Sequence, residues 1–167
     1  TLSKDISKKE KMLELQKLAR ETVDIKGIGF YTLGKFRKEI SDEQKNYIQG
    51  YMRGFEDAMA SENFTSESEG YKKYIDVDSF IDFFILNEIT RNVDAYRIST
   101  FMHKDINDKL KMGPIWDFNI AFGNADYCEG GLTTGWAYKF NEACPADGML
   151  VPFWWDRLML SLIHISE

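Results

Sequence analysis

Two short stretches of the sequence bring together side chains that could bind a cation. Asp117 and Asn119 are two residues apart in a glycine-bounded stretch, and Asp94 lies in an earlier one. In an extended segment Asp117 and Asn119 would share one side, with Trp116 on the other. Carboxylate and amide oxygens suit Mg²⁺, which also keeps phosphate oxygens and water as ligands. The spacing therefore predicts a cation site suited to phosphoryl transfer. The structural alternative is a half-buried strand whose polar side faces water.

A buried helix is predicted just before Asp94. The run Phe80–Leu86 is almost entirely apolar, so its helix should be buried most of the way round, with Asp78 as its N-cap. Near its end, Glu88 and Arg91 have the three-residue spacing of a helical ion pair. We expect this pair to have a structural role.

A β-hairpin is predicted between the two acids. Tyr96–Lys104 alternates as a strand does, Asp105–Asp108 supplies turn residues, and Lys109–Met112 begins the second arm. The acid of the first stretch would then precede the hairpin, and the acid of the second would follow it. This is the layout of a kinase catalytic segment, in which a metal-binding Asp follows the loop that carries the base.

At these residues the chain resembles the spore coat protein H (CotH) kinase family. In that family a Trp-Asp-x-Asp/Asn-x-x-Phe-Gly segment follows an earlier Asp, and Trp116–Gly123 and Arg91–Thr100 match these two parts. The resemblance covers about residues 47–159. It implies an α+β fold that includes part of an atypical kinase C-lobe. It also implies ATP-dependent phosphoryl transfer to protein hydroxyl groups.

The resemblance also implies site residues and cofactors. Asp94 would be the catalytic acid/base, and Asp117 would bind the metal with help from Asn119. Trp116 and Asn119 would contact the nucleotide. The implied cofactors are ATP and Mg²⁺ or Mn²⁺, and the implied partners are a nucleotide and a protein substrate. Five residues after Asp94, where kinase loops commonly have an Asn ligand, this chain has Ser99.

The phosphate-binding part of a kinase cannot be identified in the sequence. The spacing of Gly27, Gly29 and Gly34 does not fit G-x-G-x-x-G, and no upstream Lys is recognisable as the phosphate-binding one. Because phosphoryl transfer depends on positioning by both lobes, we predict that this chain alone is inactive or nearly so.

The first part of the chain has a different character. Residues 1–46 contain 11 Lys and Arg against 8 Asp and Glu, whereas the whole chain carries a net charge of −6. Helices are predicted after a capping box at Ser7–Glu10 and over Asp24–Phe36. The segments Val23–Lys35 and Ser41–Gln44 resemble the MlaC, or toluene-tolerance, family of periplasmic phospholipid carriers. That resemblance covers residues 2–46.

This pattern predicts three parts: a carrier-like helical segment (1–46), a partial CotH-kinase-like domain (47–160) and a tail (161–167). The tail resembles translated sequencing-adapter read-through. Our hypothesis is that the chain is a chimeric fragment joined from three sources.

Further elements complete the predicted fold. A second capping box, Ser41 with Gln44, should open a helix with an apolar stripe from Tyr47 to Met59. Asn124–Pro152 reads as a long ordered loop. Its aromatic residues could stack on a substrate, but covering the core is the preferred interpretation. An amphipathic helix is predicted after Pro152.

Composition limits the other classes of function. Hydrophobic residues make up 44% and aromatic residues 14%, which is typical of globular proteins. The net negative charge argues against nucleic acid as a partner, and no run is long enough for a membrane span. Cys128 and Cys144 form either a disulfide or two free thiols. The compartment and the oligomeric state stay open, although the CotH resemblance suggests a cell-surface or extracellular location. The alternative function is a phospholipid carrier or a non-catalytic surface binding module.

Overall fold

The computed structural model describes residues 40–163, with side chains up to residue 161. The chain divides into two compact units, Thr1–Tyr47 and Ile48–Glu167. The predicted helices before residue 40, most of the carrier-like segment and the last residues of the predicted tail lie outside the described residues.

The described residues form an α+β fold, as predicted. Helix α1 spans Asp42–Ala60, α2 Val77–Thr90, α3 Phe140–Ala143 and α4 Trp154–Ile163. Short 3₁₀ helices span Tyr71–Lys73 and Ala137–Lys139. Strands β1 (Met102–His103) and β2 (Lys111–Met112) pair in an antiparallel sheet. No helix of residues 40–163 has the length and apolar character needed to cross a membrane.

Helix α1 begins at the predicted capping box. The Ser41 N–H donates to Gln44 Oε1 at 2.8 Å, and the Gln44 N–H donates to Ser41 Oγ at 3.1 Å. The second half of the apolar stripe is buried, with Phe55 and Met59 fully inaccessible. Tyr47, at the start of the stripe, is 55% exposed.

Helix α2 is capped by Asp76, so the prediction that Asp78 is the N-cap is wrong. Asp76 Oδ1 accepts a hydrogen bond from the Ser79 N–H at 3.0 Å, while Asp78 lies in the first turn. The reason is that the Asp76 N–H bonds to the Leu110 carbonyl at 2.9 Å. This bond and the bridge between Ile75 and Leu110 keep the backbone extended at Asp76, and the helix can start only after it.

Helix α2 is buried on one face only, which corrects the prediction of burial most of the way round. Phe80, Phe83 and Asn87 are inaccessible, whereas Ile89 is 75% exposed and Ile85 is also exposed. The buried face packs against Trp155 of α4, whose ring stacks on Phe83 with centroids 5.9 Å apart. The predicted C-terminal helix is thereby confirmed as α4, a major part of the core.

The predicted β-hairpin is present, but its first strand is much shorter than predicted. Residues 96–98 form turns and Ser99 a bend, because the Asp94 carbonyl accepts hydrogen bonds from the N–H groups of Arg97, Ile98 and Ser99. A backbone wound in this way cannot pair as a strand. Pairing is limited to Met102 with Met112 and His103 with Lys111.

The predicted extended segment around Asp117 is also absent. Residues 113–118 have no regular structure, and Asp117 has a φ of +64°, in the left-handed region. The alternation of sides that would place Asp117 and Asn119 together is therefore broken at Asp117 itself. Asp and Asn adopt this conformation more readily than most other residues.

The long loop over residues 124–152 is ordered and carries the short helices 137–139 and 140–143. A disulfide joins Cys128 to Cys144, which answers the open question about these two residues. Trp136 and Tyr138 both pack on Phe84, with ring centroids 6.1 Å and 5.7 Å from it. These two rings therefore cover the core, as predicted from the sequence.

Candidate active site

Ser99 lies between three of the residues that the sequence singles out. Its Oγ donates to Asp117 Oδ2 at 2.8 Å, and its N–H donates to the Asp94 carbonyl at 3.0 Å. Its own carbonyl accepts from Trp116 Nε1 at 3.2 Å. Ser99 itself is only 5% exposed. The structure therefore brings Asp94, Trp116 and Asp117 together around one buried serine.

The Asp94 carboxylate is held at one of its two oxygens. Its Oδ1 accepts from Arg97 Nη2 at 2.7 Å and from the Tyr127 hydroxyl at 3.2 Å. Among residues 40–163, no hydrogen bond is found to its Oδ2. The side chain is 21% exposed. This leaves one oxygen of Asp94 without a hydrogen bond among the described residues.

Arg97 connects Asp94 to the long loop. Its guanidinium is 4% exposed and also pairs with Asp147 at 3.1 Å. It donates further to the carbonyls of Val93 and Met149, and it lies over the Phe140 ring at 4.0 Å. An arginine fork bound at this many points has little freedom. The position of Asp94 is thereby coupled to residues far along the chain.

Asp117 is held through its backbone as well as through its carboxylate. Asn92 Nδ2 donates to the Asp117 carbonyl and to Asn87 Oδ1, each at 3.3 Å. Asn92 is fully buried, and its Oδ1 has no hydrogen-bond partner among the described residues. The Asp117 side chain is exposed. The buried Asn92 amide thus helps to hold the left-handed backbone at Asp117.

Trp116 and Asn119 are both accessible. Trp116 is 46% exposed and packs edge-on against Phe101, with ring centroids 5.1 Å apart. The Asn119 carbonyl accepts from Asn124 Nδ2 at 2.6 Å, and the residue is exposed. No hydrogen bond joins the Asn119 side-chain amide to the cluster around Ser99 in the described part of the chain.

Glu88 and Arg91 do not pair with each other, so that prediction is wrong. The Glu88 carboxylate accepts from the N–H groups of Ala137 and Tyr138 at 2.8 Å and 2.9 Å. Arg91 Nε and Nη1 donate to the carbonyls of Glu129, Thr134 and Gly135. Both side chains bind loop backbone, because Arg91 terminates α2 in a left-handed conformation that breaks the helical spacing.

The electrostatic setting of the site is clearest at Tyr127. Burial raises the pKa of Tyr127, and the negative charge of Asp94 raises it further. The hydroxyl therefore stays protonated at neutral pH and can donate to Asp94.

A divalent cation would find few protein ligands here. Residues 40–163 contain no group of three His, Cys, Asp or Glu side chains that could hold a metal ion. Mg²⁺ is commonly bound by one or two carboxylates together with phosphate oxygens and water. A single exposed carboxylate at Asp117 fits that mode of binding. It does not fit an all-protein metal cage.

Three residues with large roles in this geometry were not singled out by the sequence: Asn92, Arg97 and Tyr127. The spacing of Asp94 and Arg97 was visible, but a turn rather than a helix brings them together. Tyr127 reaches Asp94 across 33 positions of sequence, and no local pattern indicates such a contact. Ser99 was noted only as a departure from the kinase loop.

Comparison with known proteins identifies one family. The family described as CotH kinase protein matches residues 21–161. The match covers all of the predicted site residues and begins within the segment that resembles a lipid carrier. Comparison with curated proteins and with solved structures finds no match.

Proposed function

The chain belongs to the CotH kinase family, and we propose that it is the catalytic-segment part of an atypical protein kinase. The reaction would transfer the γ-phosphoryl group of ATP to hydroxyl groups of a protein substrate. Because no glycine-rich phosphate loop can be identified in the sequence, we expect little or no transfer by this chain alone.

The observation that carries this proposal is the cluster around Ser99. The buried Ser99 hydroxyl lies 2.8 Å from Asp117 Oδ2, and the Ser99 N–H donates to the Asp94 carbonyl. Ser99 therefore links an acid before the hairpin to an acid after it. A strand with a merely solvated polar side has no need of such a link. Catalysis of phosphoryl transfer depends largely on positioning, and this link would hold the two acids in a fixed relation.

Each residue has a role in the proposal. Asp94 accepts the proton of the attacking hydroxyl at the oxygen that Arg97 and Tyr127 leave open. Asp117, assisted by Asn119, holds Mg²⁺ or Mn²⁺. When bound, the cation neutralises charge on the phosphate oxygens and orients them.

Trp116 is proposed to contact the adenine ring. Its indole is 46% exposed while its Nε1 is bonded to the Ser99 carbonyl, so the ring is both accessible and fixed. A pre-positioned aromatic face binds a base at low cost in conformational entropy.

The proposed location is extracellular or at the cell surface. The Cys128–Cys144 disulfide supports this, because disulfides form and persist mainly in oxidising compartments. Membership of the CotH kinase family, which is named after spore coat protein H, points the same way.

The alternative functions receive less support. A phospholipid carrier needs a cavity for acyl chains, and within residues 40–163 the apolar cleft between α2 and α4 has a volume of about 20 Å³. That is room for about one water molecule. A surface binding module could use Trp136, whose ring stacks on Phe84 and is 56% exposed, but no cluster of polar side chains comparable to that around Ser99 accompanies it in the described residues. The hypothesis that the chain is a fragment joined from three sources does not depend on the function. Amplification across codons 40–60 from source DNA would test it. A single continuous product would contradict it.

The function is tested by titrating the chain with ATP and Mn²⁺ while following tryptophan fluorescence and, in parallel, binding heat. Asp117→Asn is the informative variant, because Asn tolerates the left-handed backbone and removes only the charge. Asp82→Asn, an exposed acid on α2, is the matched control. We expect Asp117→Asn to weaken metal-dependent binding by more than about tenfold, and Asp82→Asn to leave it unchanged.

The two signals separate the roles of the site residues. Trp116→Phe should remove most of the fluorescence response while binding heat persists. Equal binding by wild type and Asp117→Asn would exclude the proposed metal site, and no binding by either would exclude the proposed function.

A further inference from the structure

Ser99 is the only residue among 40–163 that hydrogen-bonds to Asp94, Trp116 and Asp117. Its hydroxyl has a single proton, and a carboxylate can only accept, so Ser99 Oγ must donate to Asp117 Oδ2 over the 2.8 Å between them. The Ser99 hydroxyl, which an alanine would lack, therefore donates its one proton to the Asp117 carboxylate. A role as a direct metal ligand is the expectation from kinase loops, and this geometry does not favour it.

The backbone of Ser99 is fixed on both sides of its side chain. Its N–H is held by the Asp94 carbonyl at 3.0 Å, and its carbonyl is held by Trp116 Nε1 at 3.2 Å. The residue is 5% exposed. The position of the hydroxyl is therefore set by the fold and not by solvent.

The Asp117 carboxylate, in contrast, depends on this one contact. Its side chain is exposed, and Asn92 holds its backbone carbonyl rather than its carboxylate. Among the described residues, Ser99 is the only hydrogen-bond donor to the carboxylate. Without that bond the side chain could rotate freely, and Oδ1 would no longer have a preferred direction.

We propose that Ser99 is a positioning residue that orients the Asp117 carboxylate for the divalent cation of a nucleotide, and that it is not itself a metal ligand. The inference rests on the proposed function, since it needs Asp117 to bind the cation. Residues that hold a metal ligand through a hydrogen bond often change metal affinity by 10–100-fold when they are replaced.

The test uses Mn²⁺ binding in the presence of ATP, followed by electron paramagnetic resonance of the free ion. Ser99→Ala removes the donor and keeps both backbone contacts, and we expect it to weaken Mn²⁺ binding by about tenfold. Ser99→Thr keeps the hydroxyl and should restore wild-type affinity. Ser61→Ala is the matched control, because it removes a hydroxyl that donates at the same 2.8 Å, but to the Ala58 carbonyl.

A second measurement uses no metal and does not depend on Ser99→Thr, so the test remains valid if that variant misfolds. Ser99→Ala and Asp117→Gly are made singly and together, and their urea midpoints are compared. Gly suits the positive φ at residue 117, so this variant removes the carboxylate without backbone strain. If Ser99 acts through Asp117, the two effects will not be additive.

The outcomes are distinct. Wild-type affinity in Ser99→Ala, with binding lost in Asp117→Gly, overturns this inference and leaves the proposed function standing. Additive urea effects also overturn it. If wild type binds no Mn²⁺, or if Asp117→Gly binds as wild type does, the proposed function fails and this inference fails with it.

Discussion

Trp155 and Ser99 are both buried, yet different kinds of contact hold them. Trp155 lies among aromatic rings, with centroids 5.9 Å from Phe83 and 4.9 Å from Tyr96. Ser99 lies among hydrogen bonds to Asp94, Trp116 and Asp117. We call the first region the aromatic core and residues 91–127, which contain Ser99, the site segment; the site segment also contributes Tyr96 to the aromatic core.

The two regions also differ in regular structure. The aromatic core is built on the faces of α1, α2 and α4, whereas the site segment has only the two short strands. Packing tolerates small shifts at a modest cost, but a buried polar group without a partner is expensive. The site segment can therefore hold a defined geometry without helices, provided that its polar groups stay paired.

The largest effect is expected in the aromatic core. Trp155→Ala should lower the free energy of unfolding by about 3–5 kcal/mol, because it removes a side chain that is 2% exposed and leaves a cavity. Urea denaturation followed by circular dichroism measures this. Trp136→Ala is the control, since its ring is 56% exposed. Similar losses for the two variants would contradict the assignment of Trp155 to the centre of the core.

The disulfide should have the next largest effect. Replacing Cys128 and Cys144 together by Ser should cost about 3 kcal/mol, because the bond closes a loop across 16 positions. The stability of wild type is measured with and without a phosphine reductant. The reductant should destabilise wild type and have no effect on the double variant. An equal response by both proteins would show that the reductant acts elsewhere.

Arg97 tests the hydrogen-bonded region directly. Arg97→Lys keeps the charge but cannot pair with Asp94 and Asp147 together or stack on Phe140, and it should cost about 2 kcal/mol. Thermal unfolding gives the comparison. Arg53→Lys on the exposed side of α1 should change stability by less than about 0.5 kcal/mol. If Arg97→Lys left the stability unchanged, charge alone would be enough to hold the loop.

The smallest effect at neutral pH, and the most specific, concerns Tyr96. Burial raises the pKa of Tyr96, and the charge of Glu88 raises it further. Above about pH 10 the unfolded chain loses a phenolic proton that the folded chain keeps. Stability should therefore fall as pH rises, by up to about 1.4 kcal/mol per pH unit from this group.

Tyr96→Phe should make that alkaline decline less steep. At pH 7 the variant should lose only about 1 kcal/mol, from the hydrogen bond to the Phe84 carbonyl. Urea midpoints between pH 7 and pH 11 measure both quantities. Parallel curves for wild type and variant would show that Tyr96 does not titrate differently in the folded state.

The sequence predicts the aromatic core better than the site segment. The apolar stripes of α1 and α4 repeat at helical spacing, so their positions follow from a local rule. The N-cap of α2 was predicted two residues late, because the deciding bond comes from Leu110, more than 30 residues away. The exposed side of α2 was missed for a related reason. Apolar composition does not show which face another element will cover.

In the site segment, the sequence predicts the order in which the two acids and the hairpin follow one another along the chain. The hairpin between Asp94 and Asp117 was expected, and it brings the two acids to one buried serine. The contacts themselves were not predictable, because Asp147 reaches the segment from a loop without periodicity and Tyr127 contacts Asp94 across 33 positions of sequence. The left-handed backbone at Asp117 also had no sequence signal, since Asp is common in extended segments as well as in turns.

The Trp154–Trp155 pair has a practical consequence. The two indoles lie 4.9 Å apart inside the core, close enough for their excited states to couple and to give a paired band in circular dichroism. Trp116 and Trp136 are about half exposed, and they should dominate the response of fluorescence to solutes in the buffer. One sample therefore carries two optical reporters. The exciton band follows the integrity of the core, and the quenchable emission follows the surface, so a variant that disturbs only one of them can be recognised without a label.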